Sequence, residues 1–259
     1  MKKIKTIITI MLAICLIFAF GACSQKQGSS DTAITSKAAT KGTLVMATNA
    51  AFPPYEYYEN EKIVGIDADI AAAIAEKLGM ELKIEDMEFG SIITAVQTGK
   101  VDMGLAGMTV TEDRLISVDF SNTYATGHQV VIVQEGSDIV TPDDLEGKIV
   151  GVQESTTGDI YISDQYGDEA VQRYSKGADA VLALTQGKVD AVVIDLEPAK
   201  VFVKQNKGLK LLDTEYATEE YAIALAKNSP LLEKINAALA ELEESGELKA
   251  VIDKYITAE

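Results

Sequence analysis

From Thr43 onward, short apolar runs of strand length alternate with stretches in which apolar residues recur every three or four positions. Thr43–Ala47 reads as an apolar strand. Asp67 to Leu78 carries Ile70, Ala71, Ile74, Ala75 and Leu78 at helical spacing, and Gly79 supplies the stop. Glu81–Ile84, Val101–Leu105, Val130–Gln134, Ile149–Val152 and Ala191–Ile194 have the length and apolar content of strands. Ser91–Thr98 is a short helix closed by Gly99, and Pro198 sits at a helix start, where its missing N–H costs nothing. Ser229-Pro230 opens a long helix through Ala237, Leu239 and Leu242 to Gly246, and a last helix runs from about Leu248 to Tyr255. This alternation predicts an α/β fold with largely parallel sheets.

One segment occurs twice. Gln97-Thr98-Gly99-Lys100-Val101-Asp102 and Thr185-Gln186-Gly187-Lys188-Val189-Asp190 each read as a helix end, a glycine stop, a lysine and entry into a buried strand. The echo has two readings: a favourable helix-to-strand joint used twice, or two lobes of similar design. Open α/β sheets bind ligands beyond the carboxyl ends of their strands, so two facing lobes would present Gly107 and Asp195 to a common cleft.

The first residues follow a different pattern. Lys2, Lys3 and Lys5 precede an apolar run from Ile7 to Phe20, too short to span a bilayer and suited to a signal peptide. Phe20-Gly21-Ala22-Cys23 resembles a bacterial lipobox, in which the cysteine thiol receives a diacylglycerol and becomes the mature N-terminus. The expected signal peptide is 1–22, with Cys23 as the lipidated residue. Residues 23–41 hold almost no large apolar side chain and read as a flexible tether. Cys15 would be removed with the signal, which leaves one cysteine and no internal disulfide.

Charge narrows the function. The 259 residues carry a formal net charge of −17, which becomes −20 once the three signal-peptide lysines are removed. Nucleic-acid binding needs clustered Lys and Arg to displace counterions, so this balance argues against it. No G-x-S-x-G, H-E-x-x-H, C-x-x-C, Walker or G-x-G-x-x-G pattern is present, and a histidine-based site would rest on His128 alone. A lone histidine in an apolar stretch reads as structural. No catalytic residue, metal site or cofactor is expected.

Three segments carry the functional signal: Ala47-Thr48-Asn49-Ala50-Ala51-Phe52-Pro53-Pro54-Tyr55-Glu56, Gly65-Ile66-Asp67-Ala68-Asp69-Ile70, and Ala106-Gly107-Met108-Thr109-Val110-Thr111-Glu112-Asp113-Arg114 with Val118-Asp119-Phe120-Ser121 after it. In this order they resemble the polar amino acid family (family 3) of bacterial extracellular solute-binding proteins, over essentially all of 42–255 and including Leu145 to Gln153. The resemblance implies a periplasmic-binding-protein-like fold: two α/β lobes joined by two hinge strands with the ligand cleft between them. Lobe one would be 42–127 plus 220–259 and lobe two 128–219, which puts His128 beside the first hinge. It implies a monomer on the outer face of the cell membrane, held there through a lipid on Cys23, that captures a free L-amino acid and passes it to ABC permease subunits.

The resemblance also places the ligand. Arg114 matches the arginine that grips the α-carboxylate, which a planar guanidinium can do with two parallel bonds. Gly107 and Thr109 match positions that add backbone and hydroxyl bonds, and Asp195 matches the acid that binds the α-ammonium. Thr157 and Gly158 match a second-lobe turn whose N–H groups help hold the carboxylate. Phe52 and Phe89 match aromatic positions that sandwich the ligand side chain. Glu154 and Ile194 stand where glutamine-binding members have lysine and histidine, which weakens a glutamine reading. Asn49 offers a donor and an acceptor, Glu154 offers acceptors, and the two phenyl faces attract a cation, so a basic amino acid such as arginine or lysine is preferred. Glutamine, cystine or another polar amino acid is the alternative. An enzyme of dehydratase type on the same fold and a soluble sensor for a separate membrane kinase are the remaining readings. No membrane helix or kinase region follows in this sequence, so a fused receptor is not expected.

Overall fold

The computed structural model describes residues 42–256, which form one compact unit. The signal peptide, the tether and Cys23 lie outside the described residues. The strands are β1 (Thr43–Thr48), β2 (Ala51–Phe52), β3 (Glu56–Glu59), β4 (Lys62–Val64), β5 (Glu81–Asp86), β6 (Met103–Gly104), β7 (Val118–Gln134), β8 (Val150–Gln153), β9 (Val171–Tyr174), β10 (Ala191–Asp195), β11 (Leu209–Leu211) and β12 (Ala217–Ala226). The α-helices are α1 (Ile66–Lys77), α2 (Phe89–Gln97), α3 (Glu112–Ser117), α4 (Thr157–Tyr166), α5 (Gly177–Thr185), α6 (Leu196–Gln205), α7 (Leu232–Glu244) and α8 (Glu247–Tyr255).

The main sheet runs β5-β1-β6-β12-β7-β10-β8-β9, with β11 on β7, and β2-β3-β4 form a small separate sheet. At the two ends of the main sheet the pairings are parallel: β1 with β5 and β6, and β8 with β9 and β10. In the middle β7 and β12 pair antiparallel from Val118↔Ala226 to Gln129↔Ala217. This ladder is the covalent and hydrogen-bonded link between the two ends.

Each end is buried on both faces, and the two-residue period of a strand decides which side chain goes where. Along β1, Leu44 and Met46 pack with α1 and α7, while Val45 and Ala47 pack with α2. Along β10, Val192 and Ile194 pack with α5 and α6, while Ala191 and Val193 meet Ile162 of α4. Residues before 126 or after 220 make up the two clusters at the β1 end, and the two clusters at the β10 end draw their buried residues from 130–212. Phe52 packs partly against one cluster of each end.

The duplicated segment makes the same joint twice. Gly99 and Gly187 have φ of 67° and 66°, the left-handed region that glycine adopts without strain. Their N–H groups donate to Val96 and Leu184, and Lys100 and Lys188 donate to Ala95 and Ala183, closing each helix in the same way. Asp102 Oδ2 accepts the Val45 N–H at 2.8 Å, and Asp190 Oδ2 accepts the Ile149 N–H at 2.8 Å. The two aspartate N–H groups return bonds to the same residues' carbonyls at 2.9 and 2.8 Å. The same joint thus stands at both ends of the sheet, as either reading of the echo allows.

The sheets are not largely parallel as expected, because β7 and β12 pair antiparallel with each other and with β6, β10 and β11, and two elements also differ from the sequence pattern. The apolar run 101–105 is paired only at Met103–Gly104, because the aspartate joint occupies its first residues. The run 130–134 is the end of the 17-residue β7, whose first part is polar enough to conceal a strand.

The joint predicts unequal costs. Asp102 is buried, so Asp102→Ala leaves a buried N–H without its acceptor and should cost about 1–3 kcal/mol. Asp190 is exposed, and Asp190→Ala should cost under about 1 kcal/mol, water replacing the lost acceptor. Urea midpoints of the two variants check the difference.

Candidate functional site

A cavity lies where the two ends of the sheet meet, lined by Asn49, Phe52, Glu56, Phe89, Gly107, Thr109 and Arg114 from one side and by Gln129, Gln153, Thr156, Thr157, Ile194 and Asp195 from the other, with Glu219 and Tyr221 of β12 between them. The lining is positioned by strand ends and by the turns that follow them. Asn49 follows β1, Gly107 and Thr109 follow β6, Gln153 ends β8 and Asp195 ends β10. This is where open α/β sheets place ligands.

Among the described residues, Arg114 is the only basic side chain lining the cavity. It belongs to the short helix α3, whose N-cap Thr111 accepts the Arg114 N–H. The side chain is 7% exposed. Nη1 donates to the Thr109 carbonyl at 2.8 Å and Nη2 to the Ser155 carbonyl at 3.1 Å. The guanidinium lies 5.3 Å from the Phe89 ring centroid. Burial pulls its pKa down and the nearby Glu219 charge opposes that, yet a guanidinium keeps its proton in a protein. Among the described residues it makes no ion pair, so a buried cation has neutral acceptors alone. Ser155 holds its carbonyl in place from a left-handed φ of 67°, an uncommon conformation for serine.

Acids dominate the rest. Asp195 is 1% exposed and caps α6. Its Oδ2 accepts from the Tyr221 hydroxyl at 2.7 Å and the His128 N–H at 3.0 Å, and its Oδ1 from the Glu197 N–H at 3.1 Å. Burial pushes this carboxyl up to about 6 although those bonds favour the charged form. Glu219 Oε2 accepts from Thr109 Oγ1 at 2.9 Å and Gln129 Nε2 at 3.1 Å, and its buried Oε1 meets no hydrogen-bond partner in bonding geometry among the described residues. Glu56 is wholly buried; burial and then the adjacent Asp67 charge push it well above the usual carboxylate range. Asp67, beneath the lining, accepts from the Gly107 N–H at 2.8 Å and the Tyr124 hydroxyl at 2.9 Å, and burial raises it to about 6.

The structure brings Asn49, Phe52, Phe89, Gly107, Thr109, Arg114, Thr157 and Asp195 to one cavity. Gly107 needs its missing side chain: φ is +51°, and a Cβ would sit 2.9 Å from the Phe52 ring. Phe89 faces the cavity and also lies under the Arg114 guanidinium. Asn49 spans the cleft, its Oδ1 accepting from Gln153 Nε2 at 2.9 Å. Gly158 lies behind the lining, where a Cβ would come within 3.2 Å of the Val193 carbonyl. Thr157 and Gly158 open α4, where helix geometry leaves N–H groups without an intrahelical acceptor.

Glu154 is a correction. The cavity-lining Gln153 ends β8, and strand alternation turns the next side chain outward. Glu154 is exposed beside Glu88, Ser91 and Ser175 on a surface depression. Glu219, which the sequence reading did not place there, does line the cavity. Ile194 lines the cavity as an apolar wall. His128 takes no place in the lining: its ring Nδ1 lies 3.0 Å from Glu215 Oε2.

Sequence reasoning missed Glu56, Gln129, Gln153, Glu219 and Tyr221. Glu219 and Tyr221 share one face of β12 by the two-residue period, which was the available signal. Among the described residues there is no group of His, Cys, Asp and Glu suited to a metal ion and no helix long and apolar enough to cross a membrane.

Residues 44–258 match the family model of bacterial extracellular solute-binding proteins, family 3. The chain is 34% identical over 261 residues to the arginine-binding extracellular protein ArtP of Bacillus subtilis (strain 168), covering 98% of this chain and 99% of that one. Among solved structures it is similar to the arginine-, lysine-, histidine-binding protein ArtJ of Geobacillus stearothermophilus, with a TM-score of 0.80, 33% identity and coverage of 84% and 96%. An ancestral arginine-binding protein bound to arginine gives a TM-score of 0.79 at 42% identity, with coverage of 83% and 99%.

The raised Asp195 carboxyl predicts a pH effect. Its folded value of about 6 exceeds the ordinary 3.8, so the folded state binds the extra proton. The resulting stability is fully present below about 3.8 and is lost as pH rises through about 6. Asp195→Asn should remove this part of the pH dependence of the unliganded protein. Melting temperatures of wild type and variant between these pH values check it: their difference should change across the window.

Proposed function

The chain belongs to the family 3 bacterial extracellular solute-binding proteins, and from that premise we propose that it captures a free basic amino acid, arginine first, and delivers it unchanged to an ABC permease. The observation that carries the reading is the charge balance of the cavity: one unpaired buried guanidinium against the carboxyls of Glu56, Asp195 and Glu219. A zwitterion adds no net charge of its own. With Arg114 against Asp195 and Glu219 the cavity is net negative even with Glu56 neutral, and this favours a second positive charge on the ligand side chain. An anionic side chain would meet like charge. The names of the similar arginine-binding proteins agree with this choice.

In this reading Arg114 holds the α-carboxylate, with Thr109 and the first-turn N–H groups of Thr157 and Gly158 beside it. Asp195 accepts from the α-ammonium. Phe52 and Phe89 flank the side chain, and Asn49 meets its polar end. The halves 42–127 plus 220–259 and 128–219 act as lobes that open and close about β7 and β12. The bonds between Asn49 and Gln153 and between Arg114 and Ser155 fit a closed arrangement. The protein is a monomer without catalytic activity of its own.

Calorimetry with arginine, lysine, histidine, glutamine and cystine tests the reading. Arginine should bind best, and Arg114→Ala should cost about 3–5 kcal/mol of binding because a buried charge pair loses one partner. Best binding of glutamine or cystine, or unchanged affinity in the variant, contradicts it.

The chain is also held at the cell surface by a lipid on Cys23, a reading supported by the Phe20–Cys23 motif. Cys23→Ala should release the protein into the medium; a variant that stays with the membrane fraction overturns the anchor.

A further inference from the structure

Asp195 is largely committed before any ligand arrives. Three hydrogen bonds from His128, Tyr221 and Glu197 occupy three of the roughly four positions a carboxylate offers. Glu219 is the opposite case. Its Oε2 is held by Thr109 and Gln129, while Oε1 is buried, without a partner in bonding geometry among the described residues, and part of a carboxylate that lines the cavity. A carboxylate oxygen left so costs desolvation energy unless a donor reaches it.

Glu219 is also tied to Arg114 through a single residue. The Thr109 carbonyl accepts Arg114 Nη1 at 2.8 Å, and the Thr109 hydroxyl donates to Glu219 Oε2 at 2.9 Å. Cation and anion are therefore held on one threonine, yet among the described residues they do not form an ion pair with each other. In an amino acid the carboxylate and the ammonium share one carbon. A ligand whose carboxylate sits on Arg114 must place its ammonium within a few ångströms, which is where an acid held on Thr109 stands.

We propose that Glu219, through its unpartnered Oε1, is an acceptor for the α-ammonium of the bound amino acid and shares that group with Asp195. The assignment rests on the amino acid reading of the site given above. It makes Glu219 a recognition residue for the zwitterion rather than for the side chain. Thr109 and Gln129 are then positioning residues, which aim the carboxylate by holding its other oxygen. The Tyr161 hydroxyl of α4 is also near enough to the Glu219 carboxylate to interact with it as a hydrogen-bond donor, beside the position proposed for the ammonium.

The test is calorimetry of wild type and Glu219→Gln with three ligands: arginine, 5-guanidinopentanoate and citrulline. The second lacks only the α-ammonium and the third carries a neutral side chain. Glu219→Gln should weaken arginine and citrulline by a similar factor of ten or more and leave 5-guanidinopentanoate within about threefold. A large loss for 5-guanidinopentanoate together with little loss for citrulline would place Glu219 at the side chain and overturn the proposal. Equal affinities of variant and wild type for all three ligands would also overturn it. Failure of wild type to bind arginine at all would instead sink the amino acid reading on which it rests. The substitution is isosteric and removes a buried charge, so the unliganded variant should melt no lower than wild type. If it does not fold, Glu219→Asp, which withdraws the charge by one methylene, is read against the same ligands and must show the same ordering.

Discussion

A guanidinium buried without an ion-pair partner among the described residues organises this molecule. Taking a charge out of water is tolerable only when hydrogen bonds or an opposite charge replace the solvent. Arg114 has the first in part, from the carbonyls of Thr109 and Ser155, and of the second only the nearby Glu219 charge, with no ion pair among the described residues. The two carbonyls come from opposite sides of the cleft, so the way this cation is solvated depends on how the two halves of the sheet stand together. A ligand carboxylate between them would complete the set. In the proposed function, binding and closure would then be the same event seen from two sides.

The fold makes that arrangement available. Parallel strands at both ends of the sheet send their carboxyl ends toward the middle, where the β7 and β12 ladder connects them. The duplicated aspartate joint sets the start of β6 in one end and β10 in the other, and the residues after those strands, Gly107 to Thr109 and Asp195, line the cavity. Register at one end of a strand thus fixes chemistry at the other. Gly107 shows how tight the fit is: its N–H binds Asp67 while its absent side chain leaves room for Phe52.

Much of this was legible in the chain. Apolar runs bounded by glycine marked the buried strands, since strands covered on both faces carry apolar residues on both. The family motifs brought eight of the expected residues to one cavity, because short segments after strands keep their place when the strands do. The exceptions have physical reasons. Glu154 is one residue past an inward-facing glutamine, and a period of two turns it to solvent. Glu219 sits in a polar run, Thr218-Glu219-Glu220, that reads as solvated surface, and its burial comes from contact with Thr109, 110 residues away. No local pattern reports a partner at that distance. The polar first half of β7 was concealed for a related reason: its pairing partner, β12, is supplied by a distant part of the chain.

The central claim is that the amino acid carboxylate is the missing partner of Arg114. The most direct measurement removes that carboxylate from the ligand and leaves the protein untouched. Agmatine keeps the guanidinium and an amine of arginine but has no carboxylate. Isothermal calorimetry of the wild-type protein should give agmatine an affinity at least a hundredfold below that of arginine, the loss expected when a buried charge pair has one member removed. An agmatine affinity within a few fold of arginine would show that Arg114 does not hold the ligand, and the account would fail at its foundation.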